Sequence, residues 1–456
     1  MLRVTACLLA ALLIPPAAPA QAPRQPVPSR DRAWLDQYCV TCHSETQKVA
    51  GLMLDKIDPS KISVADAEVW EIVLRRLRTG SMPPQGLPRP DDTALEGFVS
   101  SLEAALDRDN PAIKDPSPAR RIDDLELASR LAMFLWRSSP DEELLAVARL
   151  GQLKSPSMLE QQVRRMLDDP RSNALITNFF SSWLYLGNVR SLKPDPAVFP
   201  EFDEDLRMAF TQETQLFLES QLREDRPVPE LLSANYAFIN DRLARHYGIP
   251  NVSGREFRRI TFSDDRRAGL LGQGAILAVT SYAHRTSPVL RGKYVLEVFL
   301  GTPPPAPVPN VPALKEDAVN RAATMRQRME QHRKNPVCAS CHSTIDPIGF
   351  ALEHFDAIGR WRTSIGDVPI DTSGALPDGT TVSDAAGLRA GLLRYHDVIM
   401  TSIIQRLLTY GLGREFKSSD MPAVRKILRD SASHGDVWSS LFLSIVQSTP
   451  FQTKGS

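Results

Sequence analysis

The chain has 456 residues, of which 54 are basic and 54 acidic, so its formal net charge is zero, and 42% of its residues are hydrophobic. At roughly 100–200 residues per domain, this length allows about two to four domains with a buried core and excludes a chain that is disordered throughout. The balanced charge provides no long-range field that would attract nucleic acid, and 5 Cys residues are too few for a disulfide scaffold.

The first 20 residues have the pattern of an export signal. Arg3 supplies positive charge, an apolar run extends from Val4 to Ile14, and small residues end at Ala20. Because a membrane-spanning helix needs about 20 apolar residues, we predict that 1–20 is a cleaved signal peptide and that the mature chain has no transmembrane segment. Cys7 lies within this peptide, which leaves four Cys residues in a periplasmic or secreted bacterial protein.

Residues 31–109 have the size and plan of a small helical domain. Apolar residues at helical spacing predict helices over 33–38, 65–78 and 93–106. The first helix leads into Cys39-Val40-Thr41-Cys42-His43, which reads C-x-x-C-H. Two thiols at this spacing can bond to the two vinyl groups of haem, and the histidine can then bind the iron. The segment therefore predicts a cytochrome c domain with one covalent haem c.

A methionine follows this motif in a turn bounded by proline. Met82 lies in Ser81-Met82-Pro83-Pro84, between the second and third predicted helices. A thioether on a rigid turn suits the second axial position of the iron, so we predict that His43 and Met82 are the axial ligands. The alternatives are Met53 as the ligand, or packing of Met82 on the core.

Residues 111–302 are predicted to form a helical domain. Helices are predicted over 125–137, 141–150, 158–167, 172–185, 203–223, 241–247 and 267–281. Ser139 and Ser157 each begin a sequence that fits a capping box. Most aromatic residues on the apolar faces are assigned to the core, and His246 at a helix end is expected to cap or pack. The residues assigned to the core are Trp136, Phe179, Phe180, Trp183, Tyr185, Phe210 and Phe217.

Residues 303–365 are predicted to combine a stiff proline connector with a second attachment motif. After the proline run, a charged helix over 318–333 leads to Cys338-Ala339-Ser340-Cys341-His342, a second C-x-x-C-H. With 5 Cys and 8 His in the chain, chance would give roughly 0.001 such matches. We therefore predict a second haem c with His342 on its iron. Two disulfides, or one zinc held by all four cysteines, would not explain the histidines.

The second axial ligand at this motif is left open by the sequence. His332 lies six residues before Cys338, and six extended residues span about 20 Å, enough to reach the opposite face of a haem. Met421 is the other candidate, and an open position is the third possibility. Arg360 and Arg362 flank Trp361, so the two guanidinium groups are candidates for pairing with haem propionates and the indole for packing on the ring; solvent-facing arginines are the alternative.

Residues 366–456 are predicted to form a C-terminal helical module. Alternation around Gly and Pro predicts a small β-hairpin over 369–380, and helices are predicted over 385–394, 397–409, 423–429 and 437–446. The predicted fold is therefore mainly α, with an N-terminal cytochrome c domain, a larger helical region that carries a second haem c motif, and a small β-hairpin.

Several segments resemble a known family of exported proteins. The motif at 39–43, the run 51–55 and the turn 81–84 resemble the planctomycete-type cytochrome c domain. The segments 285–293, 346–362, 408–414 and 448–451 are similar to modular haem-bearing proteins built from domains of unknown function. The resemblance implies a largely helical, exported haem protein without an assigned activity. In this family pattern a histidine is found at the position of His332, and a methionine is frequent near Met421.

These observations predict an exported dihaem c-type cytochrome that passes electrons between an unknown donor and an unknown acceptor. The partners are expected to be exported proteins or a small molecule. An alternative is a peroxidase-like or oxidase-like enzyme in which the N-terminal haem feeds electrons to an open second haem. In a third hypothesis the middle helical region is a docking module for an exported partner enzyme.

Overall fold

A computed structural model describes residues 29–110, 120–305, 324–334 and 336–454, without the side chains of Pro336, Val337 and Ser340. Most of these residues are helical, and the strands occur only as short antiparallel pairs, which confirms the mainly α fold. The predicted signal peptide and most of the proline connector lie outside the described residues. The proposed division of the chain at 111, 303 and 366 stays a prediction.

Three helices form the N-terminal region. They are α1 (Arg30–Tyr38), α2 (Val64–Arg78) and α3 (Asp92–Asp109), with a short 3₁₀ turn at Val49–Gly51. Each begins at a side-chain cap in which Ser29, Ser63 or Asp91 accepts a hydrogen bond from a backbone amide of the first turn. Their apolar faces enclose a separate small core around Trp70. The three predicted helices are confirmed to within a few residues.

The middle region contains nine α-helices among its described residues. They are α4 (Asp124–Leu135), α5 (Glu142–Arg149), α6 (Pro156–Asp168), α7 (Ser181–Trp183), α8 (Glu204–Arg223), α9 (Glu230–Ser233), α10 (Asp241–Tyr247), α11 (Gly274–Val279) and α12 (Pro288–Tyr294). Two π-helical turns, Leu175–Phe180 and Val295–Phe299, adjoin α7 and α12. Short 3₁₀ turns lie at Pro170–Ser172, Leu186–Ser191 and Leu270–Gly272.

The second motif lies in a helix that is followed by the C-terminal helices. These are α13 (Met325–His332), α14 (Pro336–Phe350), α15 (Ala385–Leu393), α16 (His396–Leu412), α17 (Met421–Ala432), α18 (Trp438–Gln447) and α19 (Thr449–Gln452), with a 3₁₀ turn at Ser418–Asp420. The part of the predicted helix 318–333 that is described is α13. The four predicted C-terminal helices correspond to α15 to α18.

Eight short strands pair in four antiparallel ribbons. The strands are β1 (Arg120–Arg121), β2 (Tyr236–Ile239), β3 (Arg258–Thr261), β4 (Ser364–Ile365), β5 (Val368–Pro369), β6 (Gly374–Ala375), β7 (Thr381–Val382) and β8 (Thr453–Lys454). The pairs are β1–β8, β2–β3, β4–β5 and β6–β7. In the last pair Gly374 faces Val382. The hairpin predicted over 369–380 therefore corresponds to two consecutive small hairpins.

The predicted helix starts at Ser139 and Ser157 are wrong. Asp141 caps α5 by accepting a hydrogen bond from Leu144, and Ser155 caps α6, with Pro156 in its first position. Asp141 lies two residues after the predicted Ser139, whereas Ser155 lies two residues before the predicted Ser157 and leaves Pro156 at the first helical position, which proline favours. Tyr185 is also an exception among the predicted core aromatics, because it is 36% exposed and its hydroxyl donates to Glu297.

One large core unites the middle region, the second motif helix and the C-terminal module. It extends from Ile122 to Phe451 and includes Ile345 and Ile348 of α14 and Leu352 just after that helix, and Cys341 packs against it. The small N-terminal core is separate, and Arg425 of α17 joins the two bodies by ion pairs to N-terminal carboxylates. Within the described residues, no helix is both long enough and apolar enough to cross a membrane.

Candidate functional site

The first motif forms a tight turn at the end of α1. Cys39 caps the helix by donating its backbone amide to Leu35, and the amides of Cys42 and His43 both donate to the carbonyl of Cys39. Burial, with the neighbouring Cys42 as a smaller cause, raises the pKa of the Cys39 thiol to about 12. These backbone hydrogen bonds fold Cys39, Cys42 and His43 into one turn at the end of α1.

The ring of His43 is fixed by a backbone carbonyl. His43 is 9% exposed, and its Nδ1 lies 2.9 Å from the carbonyl oxygen of Val49. Because a carbonyl can only accept, Nδ1 carries the proton and Nε2 is left with a lone pair for a metal. The backbone amide of Val49 in turn donates to the carbonyl of Cys42. The 3₁₀ turn at Val49–Gly51 therefore sets both the tautomer and the orientation of the predicted iron ligand.

Met82 lies in the turn between α2 and α3, as predicted. Its amide and that of Ser81 donate to the carbonyl of Arg76, in the last turn of α2. Its side chain is partly buried, whereas Met53, the alternative ligand, is 40% exposed. The structure thus fixes the backbone of Met82 to a helix end; its role as a ligand stays a prediction.

The N-terminal core has polar groups that suit a haem with carboxylate substituents. The indole Nε1 atoms of Trp34 and Trp70 are buried and have no hydrogen-bond partner among the described residues. A buried N–H without an acceptor costs about 1–3 kcal/mol, which an added acceptor would offset. Together with two thiols and an imidazole whose Nε2 carries a lone pair, these donors fit a covalently attached haem.

The second motif begins an α-helix. Cys338, Cys341 and His342 lie in the first half of α14, and both thiols are partly exposed. The second half of the helix packs closely against α12. A Cβ added to Gly349 of α14 would lie 1.8 Å from the carbonyl oxygen of Pro288, and a Cβ added to Gly292 of α12 would lie 1.9 Å from the carbonyl oxygen of Ile345. The motif therefore lies in the first half of a helix whose second half is fixed in the large core.

A buried carboxylate holds the imidazole of the second motif. His342 Nδ1 lies 2.8 Å from Asp346 Oδ1, one helical turn away, and Asp346 is fully buried. This hydrogen bond is the main cause that raises the pKa of His342. The bond orients the ring and leaves Nε2 for a metal. The donor set of two thiols and one oriented imidazole again fits a covalent haem.

His332 ends α13 beside this imidazole. The ring centroids of His332 and His342 are 5.3 Å apart and the ring planes cross at 82°. The structure therefore places His332 beside His342; its role as a ligand stays a prediction.

Met421, the other candidate, lies elsewhere. It is buried at the start of α17, where Gln405 Nε2 donates to its sulfur at 3.0 Å. It lines a cleft together with Glu71 and Arg75 of the N-terminal region. The structure therefore brings His332, and not Met421, next to the second motif.

The three residues predicted to contact haem propionates have protein partners. Arg360 pairs with Glu201 at 2.8 Å, and Arg362 pairs with Glu353 at 3.3 Å. The indole of Trp361 packs against Phe355, with ring centroids 5.1 Å apart. These contacts account for both guanidinium groups without a haem carboxylate, so the propionate role stays a prediction.

The geometry does not support a shared zinc site. In the part of the chain that the structure describes, no three His, Cys, Asp or Glu side chains are placed to hold one metal ion. The four motif cysteines therefore do not converge, although all four are described. Neither pair is joined in a disulfide.

Two partners of the site were not predicted from the sequence. The Val49 carbonyl carries no side-chain signal, so no pattern could reveal it. Asp346 follows His342 at the i, i+4 spacing of a helix, which would have indicated the pair once a helix was assigned there.

Four family models match successive parts of the chain. Residues 39–86 match Planctomycete cytochrome C, and 122–249, 267–365 and 378–451 match three Proteins of unknown function (DUF1592, DUF1588 and DUF1585). No curated protein and no solved structure matches the chain. The second attachment motif lies within the DUF1588 match. The chain thus belongs to the modular cytochromes c in which a planctomycete cytochrome c domain is joined to domains of unknown function.

Proposed function

We propose that this protein is an exported dihaem c-type cytochrome that accepts electrons from one partner and passes them to another. Haem c bound at each motif would supply one-electron chemistry. The observation that carries the proposal is the repetition of one arrangement. At both motifs two cysteines precede a histidine whose Nδ1 is held by an oxygen of the protein, which leaves Nε2 for iron.

The residues around each motif support transfer of electrons more than conversion of a substrate. Met82 and His332 are each placed by a helix end, and the ring of His332 lies 5.3 Å from that of His342. With a second protein ligand at both irons, no coordination position would remain for a substrate. This argues against the alternative of a peroxidase-like enzyme with an open second site.

Export is part of the proposal. The N-terminal pattern of residues 1–20 supports it, and so does the cytochrome c domain, because haem is attached to such motifs outside the bacterial cytoplasm. The electron donor and acceptor would then be exported proteins or small molecules.

The proposal is tested by intact-mass measurement of the full chain after expression in a host that exports it and attaches haem c. We expect a mature chain without its first 20 residues and with two covalent haem groups, which one-electron mediators reduce and reoxidise without peroxide consumption. A chain with a single haem, or one that turns over peroxide, would overturn it.

A further inference from the structure

Hairpin 374–382, formed by β6 and β7, is fixed at its base to the two helices of the second motif. A Cβ added to Gly374 would lie 1.9 Å from the carbonyl oxygen of Pro347 in α14, so the two backbones are in direct contact. On the other side, Arg326 of α13 donates to the carbonyls of Asp371 and Ser373, just before β6. The helices that carry His332 and His342 therefore meet at the same end of this hairpin.

The tip of the same hairpin contacts the Met82 turn. A Cβ added to Gly80 would lie 2.6 Å from the Cβ of Asp378. Gln85 packs against Gly379 and donates to the carbonyl of Pro377 at 3.4 Å. The turn is thus enclosed between its own helix and the hairpin tip.

The guanidinium of Arg89 reinforces this contact. It donates to the carbonyl of Gly80 at 2.5 Å and lies 3.5 Å from the carbonyl oxygen of Asp378. One cation thus holds the start of the Met82 turn and faces the hairpin tip. The contact between Gly80 and Asp378 involves only backbone and a Cβ atom, so at this point no flexible side chain can absorb a displacement of the hairpin. The side chains of Gln85 and Arg89 add hydrogen bonds around this contact.

We propose that hairpin 374–382 couples the two haem-attachment sites by fixing the Met82 turn relative to the helices that carry His332 and His342. The inference rests on the proposed function. Gly374 acts as a positioning residue: its lack of a side chain lets the hairpin approach α14 closely enough for the tip to reach Gly80. Because coupling between two sites is reciprocal, a change at either end of the hairpin is felt at the other.

The test is Gly374→Ala in the full-length haem-loaded protein. The added methyl cannot fit against the Pro347 carbonyl, so the hairpin must move away from α14. We expect amide hydrogen exchange over residues 80–89 to become at least tenfold faster. We also expect the reduction equilibrium of the first site to shift by about tenfold, or about 59 mV for a one-electron couple.

Gly387→Ala is the matched control. It lies in the same module, and the atom nearest to its added Cβ would be the flexible hydroxyl of Ser383 at 3.3 Å, with Asp384 Oδ1 at 3.5 Å and Val382 Cα at 3.7 Å. This variant should leave both readouts at their wild-type values. A Gly374→Ala protein with wild-type exchange over 80–89 and a wild-type first-site potential would overturn the coupling. The haem content of the same samples tests the proposed function separately.

A second variant weakens the contact at the tip of the hairpin. It also tests the coupling if the Gly374→Ala protein does not fold and accumulate. Gln85→Ala combined with Arg89→Ala removes the side-chain contacts to Pro377, Asp378 and Gly379. We expect faster hydrogen exchange around residues 342–347 of α14. Arg108→Ala, which removes a bond to the Ser60 carbonyl within the N-terminal region, should not have this effect. Unchanged exchange in α14 with the double variant would contradict the proposal.

Discussion

The two attachment motifs share five residues of pattern but lie in different surroundings. The first forms a turn in a small domain with its own core, and a neutral backbone carbonyl holds His43. The second begins a helix whose other end lies in the large core, and the fully buried carboxylate of Asp346 holds His342. A hydrogen bond to a carboxylate makes an imidazole more basic than a hydrogen bond to a carbonyl does. The same sequence motif therefore presents imidazoles of different basicity at the two sites.

The candidates for the second axial ligand also differ between the two sites. Met82 lies on a turn that both α2 and the hairpin tip hold, whereas His332 ends a helix that packs beside His342. A thioether ligand raises the reduction potential of a haem. The carboxylate of Asp346 should lower the reduction potential of the haem bound at the second motif. The comparison therefore predicts a first site of higher potential than the second.

Loss of attachment is the largest expected effect. Replacement of Cys39 and Cys42 by Ala should remove one covalent haem per chain, and replacement of Cys338 and Cys341 should remove the other, because each pair forms its own thioether bonds. Intact-mass measurement of each double variant distinguishes the two sites. If either variant retains both haem groups, the assignment of one haem to each motif is wrong.

Removal of a second axial ligand should change one site only. Met82→Ala should abolish the spectroscopic signature of thioether ligation at the first site. His332→Ala should convert the second site from low spin to high spin in the ferric state. Met421→Ala, whose sulfur instead accepts from Gln405, is the control and should alter neither site. A spectrum that responds to Met421→Ala and not to His332→Ala would reverse the assignment.

The carboxylate that distinguishes the sites can be neutralised. Asp346→Asn keeps an oxygen near His342 but removes the charge, so we expect the reduction potential of the second site to rise, by about 59 mV for a tenfold change in the equilibrium. The first site should not change. The exposed Asp367, replaced by Asn, is the control, and redox titration is the measurement. A fall in the second potential would refute the role given to Asp346.

The attachment of the N-terminal domain to the rest of the chain depends on charge. Arg425 is 6% exposed and lies 3.0 Å from Glu71 and 2.5 Å from Asp107. Arg425→Ala leaves Glu71 without its partner, so unfolding free energy should fall by about 3 kcal/mol. Lys426→Ala, on the same helix but in an exposed pair, should cost less than about 0.5 kcal/mol in denaturant titrations. Equal losses would contradict a buried ionic contact.

The middle region should also show a pH dependence of its own. Glu213 is 1% exposed, accepts a hydrogen bond from Tyr247 at 2.6 Å, and has a pKa raised to about 8, mainly by burial. Because the folded-state pKa lies above that of the unfolded chain, about 4.3, this contribution is present at acid pH and is lost as the pH rises toward 8.

Glu213→Gln should therefore remove part of the decline in unfolding free energy between pH 5 and pH 8 that we expect of the wild-type protein. Denaturant titrations at several pH values measure it. Parallel profiles of the two proteins would show that burial of Glu213 does not set this dependence.

Sequence pattern predicted the amphipathic and capped elements well. The helix Asp241–Tyr247 has the predicted bounds, and α2 begins one residue before its prediction. The predicted helix over 267–281 is wrong in length: it is interrupted by a 3₁₀ turn, and only Gly274–Val279 is α-helical. The helix Pro288–Tyr294 and the π-turn after it were not predicted, because residues buried on nearly every side leave no amphipathic period.

Some parts of the candidate site could be predicted from the sequence and others could not, for a related reason. The spacing of the two cysteines and the histidine in each motif is local, so it was visible in the sequence. The pairing of His342 with Asp346 requires a helix that contains Pro347, which the pattern does not favour. The approach of His332 to His342, and of Gly374 to Pro347, depends on how distant elements pack, and no local pattern encodes it.

The most direct test of the account is the low-temperature electron paramagnetic resonance spectrum of the ferric wild-type protein at known haem content. Two closed sites with unlike ligands predict two distinct low-spin signals of equal intensity, unchanged by cyanide or peroxide. A high-spin signal from one haem per chain, or a single signal that accounts for all the iron, would contradict it.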